Sequence, residues 1–257
     1  MTTLLEVKNL SKRFGGLQAT KNVSFTLREG EIVGLIGPNG AGKTTLVNLI
    51  TGVLTASEGS VVFRGRDVTR QRPFEAARSG LARTFQIVQP FPHMTVLENV
   101  AAGSLFAAGA ASRAQAEREA MAHLEFVGLG EQAHRPASSL TLPSRKRLEL
   151  AKSLAMNPRV LLLDEVNAGL NTSEIEKALA LMRAIAARGI TILLIEHLMK
   201  VVLSLSQRVL VLHHGELISE GEPQAVISDP RVVEAYLGSK FAARQQAQAS
   251  ANGGTHG

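Results

Sequence analysis

Three short stretches of the chain are apolar at almost every position: residues 32–36 (IVGLI), 160–163 (VLLL) and 191–195 (TILLI). A half-exposed strand alternates, whereas a strand covered on both faces of a parallel sheet is continuous in this way. A buried helix segment could give a similar run, but the length and the flanking residues favour strands. Between the last two runs, residues 173–185 repeat apolar side chains at helical spacing and close at Gly189. Strand, helix and strand then alternate as a βαβ unit requires, so the predicted class is α/β.

The first thirty residues are patterned differently. Residues 5–7 and 23–27 alternate, with Phe14-Gly15-Gly16 as a turn between them, which predicts an antiparallel β part. Residues 208–212, then His213-His214-Gly215, then 216–219 read as a hairpin. The stretch from about 96 to 131 is rich in alanine, has helical spacing at 114–126 and lacks strand signals, so it predicts a helical insertion. We expect one domain over residues 1–240, its α/β core and β part at about 1–90 and 155–240 and its helical subdomain at about 91–154. The polar, Ala/Gln/Gly-rich residues 241–257 are expected to be a disordered tail.

Composition narrows the function classes. With 257 residues and 45% hydrophobic content the chain can bury a substantial core. It has no cysteine, which removes disulfides and thiolate metal sites and fits a reducing compartment. The start, MTTLLEVKNL, lacks the basic region and apolar run of a signal peptide, and no window reaches the roughly 18 apolar residues of a membrane span. A formal charge of +6 suits phosphate, lipid or nucleic acid equally, and equally a solvated basic surface. Aromatics are only 4%, with one Tyr and no Trp, so base-stacking platforms have little material and nucleic acid is not an expected partner.

The candidate chemistry follows the predicted strands. Gly37-Pro38-Asn39-Gly40-Ala41-Gly42-Lys43-Thr44 has the P-loop spacing, after a buried strand and before the apolar stretch 46–50. Glycines let the backbone curl so that consecutive N–H groups face a phosphate, and the following helix adds its positive end. Lys43 would reach the β- and γ-phosphates and the Thr44 hydroxyl would ligate Mg²⁺. Asp164 and Glu165 stand at the end of a second buried strand, where parallel sheets present ligand sites; Asp164 suits the Mg²⁺ shell and Glu165 could polarise an attacking water. Ile195-Glu196-His197 repeats the arrangement on a third strand, with His197 a candidate γ-phosphate contact. The His213-His214 pair reads as turn residues.

Over residues 4 to 238 the spacing resembles the ATP-binding subunits of ABC transporters, whose core is a P-loop NTPase (RecA-like) fold. The resemblance implies that Phe14 stacks on adenine, that Thr45 joins the P-loop residues around ATP, and that Gln86 in Arg83-Thr84-Phe85-Gln86 is the Q-loop residue sensing Mg²⁺ and the γ-phosphate. It makes Ala168-Gly169-Leu170-Asn171 the D-loop and His197 the switch histidine. Residues 12–17 (KRFGGL), 83–86 (RTFQ), 194–202 (LIEHLMKVV) and 232–238 (VVEAYLG) resemble more closely the ATP-binding proteins of branched-chain amino-acid uptake systems. The implied partners are membrane-spanning permease subunits, a second ATP-binding chain and, indirectly, an extracytoplasmic solute-binding protein. The implied place is peripheral, on the cytoplasmic face of the inner membrane.

Leu140-Thr141-Leu142-Pro143-Ser144 aligns with the family signature L-S-G-G-Q but lacks both glycines. Thr141 keeps a hydroxyl for the phosphate of the facing chain, whereas Pro143 has no N–H to offer. The helix start should survive, since Pro suits a first turn. A signature weakened in this way suggests that the second ATP-binding chain is a different one. Asn171 stands for the usual Asp, and Val166 for the proline that usually follows the Glu. Two other readings stay open: an ATP-binding regulatory subunit without hydrolysis, and a soluble ABC-type ATPase acting on DNA or ribosomes. The transported solute is also open.

Overall fold

The computed structural model describes residues 2–85 and 89–237. The chain opens with a long hairpin, β1 (Thr3–Phe14) and β2 (Leu17–Arg28), and continues into β3 (Ile32–Ile36) and α1 (Lys43–Ile50). Next come β4 (Glu58–Phe63), β5 (Arg66–Asp67), α2 (Pro73–Ser79) and β6 (Leu81–Arg83). The helices α3 (Val96–Gly103), α4 (Arg113–Phe126) and α5 (Leu142–Leu154) follow. The rest alternates: β7 (Val160–Asp164), α6 (Thr172–Ala186), β8 (Thr191–Ile195), α7 (Met199–Leu205), β9 (Arg208–His213), β10 (Glu216–Gly221), α8 (Pro223–Ile227) and α9 (Pro230–Leu237). The expected tail lies outside the described residues.

Two sheets form. One is antiparallel, in the order β2-β1-β4-β5; the other runs β10-β9-β3-β8-β7-β6. In the second sheet β3 pairs parallel with β8 and β9, and β7 parallel with β6 and β8, while β10 closes the edge antiparallel to β9. The hairpin between β9 and β10 turns on His214 and Gly215, both at positive φ (47° and 81°), the two-residue turn whose twist matches the strands.

The continuous apolar runs have a direct cause. On β7, Leu161 and Leu163 enter one core with α3, α4, α5 and α6, while Val160 and Leu162 enter the other with α1 and the antiparallel sheet. On β8, Ile192 and Leu194 face the first core and Leu193 and Ile195 the second. Neither face of these strands meets water, so neither can carry the polar half of an alternating pattern. The alanine-rich stretch expected to be helical forms α3 and α4, which pack with α5 through Val96, Val100, Ala116, Ala120, Leu124 and Leu148, where small side chains let the helices approach closely.

Candidate functional site

The second sheet aims the chemistry. Because β3, β8 and β7 are parallel neighbours, their carboxyl ends lie side by side, and the segment following each one carries a predicted motif. After β3 the chain turns sharply into α1. Gly37 has φ +153° and Gly42 φ +101°; an added Cβ would lie 2.1 Å from the Leu212 carbonyl oxygen and 2.4 Å from that of Ala19. Only glycine fits either place. The first turn of a helix has no partners of its own for its N–H groups, and those of Gly42, Lys43 and Thr44 make no backbone hydrogen bond among the described residues. The loop is therefore a row of donors on a helix start, which is a cradle for phosphate. Lys43 Nζ bends back over it and donates to the carbonyls of Gly37 (2.7 Å) and Pro38 (3.1 Å). Burial lowers the Lys43 pKa, and the Glu165 and Asp164 carboxylates act against that shift, which places this ammonium beside the carboxylates ending β7.

Asp164 is buried. Its Oδ2 lies 3.3 Å from Arg83 on β6, and the same guanidinium donates to Asn48 Oδ1 on α1 at 2.5 Å. Burial is the foremost influence on the Asp164 pKa and raises it; Arg83 pulls it down, Glu165 adds to the rise and Lys43 opposes it. Glu165 follows at φ +48°, its N–H donating to the Ile195 carbonyl at the end of β8. Its Oε1 lies 3.8 Å from His197 Nδ1, with the His197 side chain 52% exposed. Lys43, Asp164, Glu165 and His197, which come from three distant parts of the sequence, thus converge on one rim.

The other predicted residues distribute around this centre. Thr44 and Thr45 lie in the first turn of α1, with Pro38, Asn39, Gly40 and Ala41 in the loop before it. Phe14 ends β1 and is 45% exposed, with Lys12 Nζ 5.2 Å from its ring centre. Gln86 lies outside the described residues. Thr141 is the residue before α5; its hydroxyl donates to Ser144 Oγ (3.3 Å), and no hydrogen bond among the described residues joins it to the P-loop. For Mg²⁺ the chain offers the Thr44 hydroxyl and the Asp164 carboxylate, and no group of three or more His, Asp or Glu among the described residues is arranged to hold a metal ion by itself. A hydroxyl and one carboxylate suit an ion that keeps waters and binds substrate phosphates.

Several site residues were not foreseen from the chain order. Arg83 and Asn48 flank Asp164, while Asn167 donates to Glu196 Oε1 through both its N–H (3.2 Å) and its Nδ2 (2.8 Å). Lys146 of α5 donates to the Glu165 carbonyl at 3.2 Å. For Lys146 the available signal was its charge at helical spacing between Ser144 and Leu148; Asn48 and Asn167 carried none.

The ABC transporter family profile matches residues 20–168, and the profile for branched-chain amino acid ATP-binding cassette transporters matches residues 216–242. The high-affinity branched-chain amino acid transport ATP-binding protein LivG of Salmonella typhimurium is 42% identical over 251 residues, covering 91% of this chain and 98% of that protein. A solved ATP-binding cassette of an ABC transporter in its ADP conformation superposes with TM-score 0.83 at 35% identity, over 93% of this chain and all of the other. A bacterial ABC transporter cassette solved as a dimer gives 0.78 at 27% identity, over 86% and 99%. With a P-loop, two strand-end carboxylates and a histidine on one rim of the same fold, this chain belongs to the ABC transporter ATP-binding family, on its branched-chain amino acid branch.

Proposed function

We propose that this chain is the ATP-binding and hydrolysing subunit of an importer that takes up branched-chain amino acids. The observation that carries the reading is the convergence of Lys43, Asp164, Glu165 and His197 at the carboxyl ends of β3, β7 and β8. The P-loop N–H groups hold the phosphates of ATP while Lys43 offsets their charge, and Phe14 stacks on the base. Glu165 takes the proton of, or orients, the attacking water, and His197 steadies the γ-phosphate side. Thr44, Asp164 and Gln86 would hold Mg²⁺, which when bound offsets the charge developing on the phosphate oxygens.

The solute path would belong to separate permease subunits; no helix among the described residues is long and apolar enough to cross a membrane. The chain would work at the cytoplasmic face of the membrane, with a solute-binding protein on the far side. Residues of about 91–154, which carry α3, α4 and α5, would act as one helical subdomain passing the movement of the ATP site to the permease. Thr141 would face the nucleotide of a second, different ATP-binding chain. The test is uptake of labelled leucine, at limiting concentration, by cells lacking this chain. Wild-type protein restores uptake and Glu165→Gln does not, while Lys43→Ala abolishes ATP hydrolysis by the purified chain. Full uptake without the chain would overturn the solute assignment, and full uptake with Glu165→Gln would overturn the hydrolytic one.

A further inference from the structure

Glu165 sits in a backbone conformation that an L-residue with a long side chain rarely adopts (φ +48°). Such a conformation persists only where the surroundings over-determine it. Here three elements do so. The Glu165 N–H is held by the Ile195 carbonyl of β8, and the Glu165 carbonyl accepts from the Ala168 N–H at 3.2 Å and from Lys146 Nζ at 3.2 Å. Two residues on, the turn is tied to the residue after β8 through the paired bonds from Asn167 to Glu196 Oε1. Lys146 is the one charged donor in this set, and it comes from α5, a helix remote in sequence.

Placing an ammonium there is costly unless it does something. Lys146 is only 8% exposed, and burial lowers its pKa against the pull of the Glu196 and Glu165 carboxylates. The groove between α5 and α6 that Lys146 lines also presents Val166, Leu170 and Leu181, so apolar neighbours are at hand there. What an apolar side chain cannot supply is a charge-assisted bond to the Glu165 carbonyl.

We propose that Lys146 is a positioning residue for Glu165 in its own chain: by holding the Glu165 carbonyl it fixes the left-handed backbone that aims the carboxylate at the rim shared with His197. Without it the peptide after Glu165 relaxes toward the ordinary right-handed region, and the carboxylate swings away from its water. Proton transfer falls off steeply with such misplacement, while ATP binding, which depends on the P-loop and Phe14, does not. The helix that carries Thr141 and Pro143 at its start is thereby tied to this chain's own hydrolytic centre.

The inference rests on Glu165 being the water-activating group, and the experiment separates the two claims. Steady-state ATP hydrolysis is measured on purified full-length wild type, Lys146→Met, Lys146→Arg and Glu165→Gln, beside the affinity for a fluorescent ADP analogue. Lys146→Met lowers kcat about tenfold to a hundredfold with KM for ATP and ADP affinity within about twofold, and Lys146→Arg recovers most of the loss. Wild-type kcat in Lys146→Met beside an inactive Glu165→Gln overturns the positioning role alone, as does a rise in KM with kcat unchanged. Wild-type activity in Glu165→Gln overturns the Glu165 assignment and the inference with it. Should Lys146→Met fail to fold, Lys146→Gln replaces it, and equal kcat in the Gln and Arg variants overturns the proposal.

Discussion

Glu196 shows how a single side chain can be legible in kind and illegible in environment. Its place after an apolar run marks a strand end, where a carboxylate is ordinarily solvated. In the fold it is fully buried, with Oε1 accepting two bonds from Asn167 and Oε2 making no hydrogen bond to a described residue. Burial raises its pKa, outweighing the bonds from Asn167 and the nearby His197, with Glu165 adding to the rise. A carboxyl whose folded pKa lies above its unfolded one contributes stability that is complete below the ordinary carboxylate range and is lost as pH rises through the folded value. Glu196→Gln cannot ionise and keeps an acceptor for Asn167. Its melting temperature relative to wild type should therefore climb between pH 4 and pH 8 in thermal melts; parallel curves would remove burial of charge as the cause. Asp164 and Glu165 were readable because strand-end carboxylates beside a P-loop have few other uses. Arg83 and Asn48, which hold Asp164, were not, since an arginine on β6 and an asparagine on α1 meet only when the sheet is built.

Helix starts carry two of the departures from the family pattern, and their local physics differs. Asn171 precedes α6 and forms a reciprocal cap: its Oδ1 accepts from the Glu174 N–H at 3.0 Å and the Glu174 carboxylate accepts from the Asn171 N–H at 2.8 Å. Asp and Asn serve equally at such a cap, so the exchange is conservative for the helix. Asn171→Ala should cost about 1 kcal/mol, read as a fall of about 2–4 °C in melting temperature, with Asn171→Asp near wild type; an equal fall in both would point to a role beyond capping. At α5 the expectation that Pro143 leaves the start of the helix in place agrees with the structure. Leu142 begins it, Pro143 is second, and the first helical bond runs from the Arg145 N–H to the Thr141 carbonyl at 2.9 Å. A proline there removes a donor that no intrahelical acceptor needed. Its effect falls on whatever approaches the helix from outside.

That effect belongs to the assembly. The donors of α5 that would approach a facing nucleotide lack the Pro143 N–H, whereas the P-loop, Asp164, Glu165 and His197 of the same chain are in place. A pair of identical chains would carry the deficit at both sites, and a pair of different chains at one. Glu165→Gln protein, with hydrolysis blocked, should therefore remain monomeric with Mg-ATP in sedimentation runs, and adding Pro143→Gly should shift it toward a dimer. Ready dimerisation of Glu165→Gln alone would show that the glycine-free signature closes over phosphate without help and that no different ATP-binding chain is required.

Reading along the chain was enough for the β3, β7 and β8 strands, the P-loop and its helix, the terminal hairpins and the helical stretch, because each is written in local periodicity or in turn residues of fixed spacing. The strand order was not local information. That β8, the last of the three to be made, lies between β3 and β7 is settled by how two apolar faces of each strand find two separate cores, and this alone brings His197 to within 3.8 Å of Glu165. The same holds for Lys146. Its charge in a buried stretch of helix is visible in the sequence, but its partner is a main-chain carbonyl on another element, and main-chain partners leave no mark on residue identity.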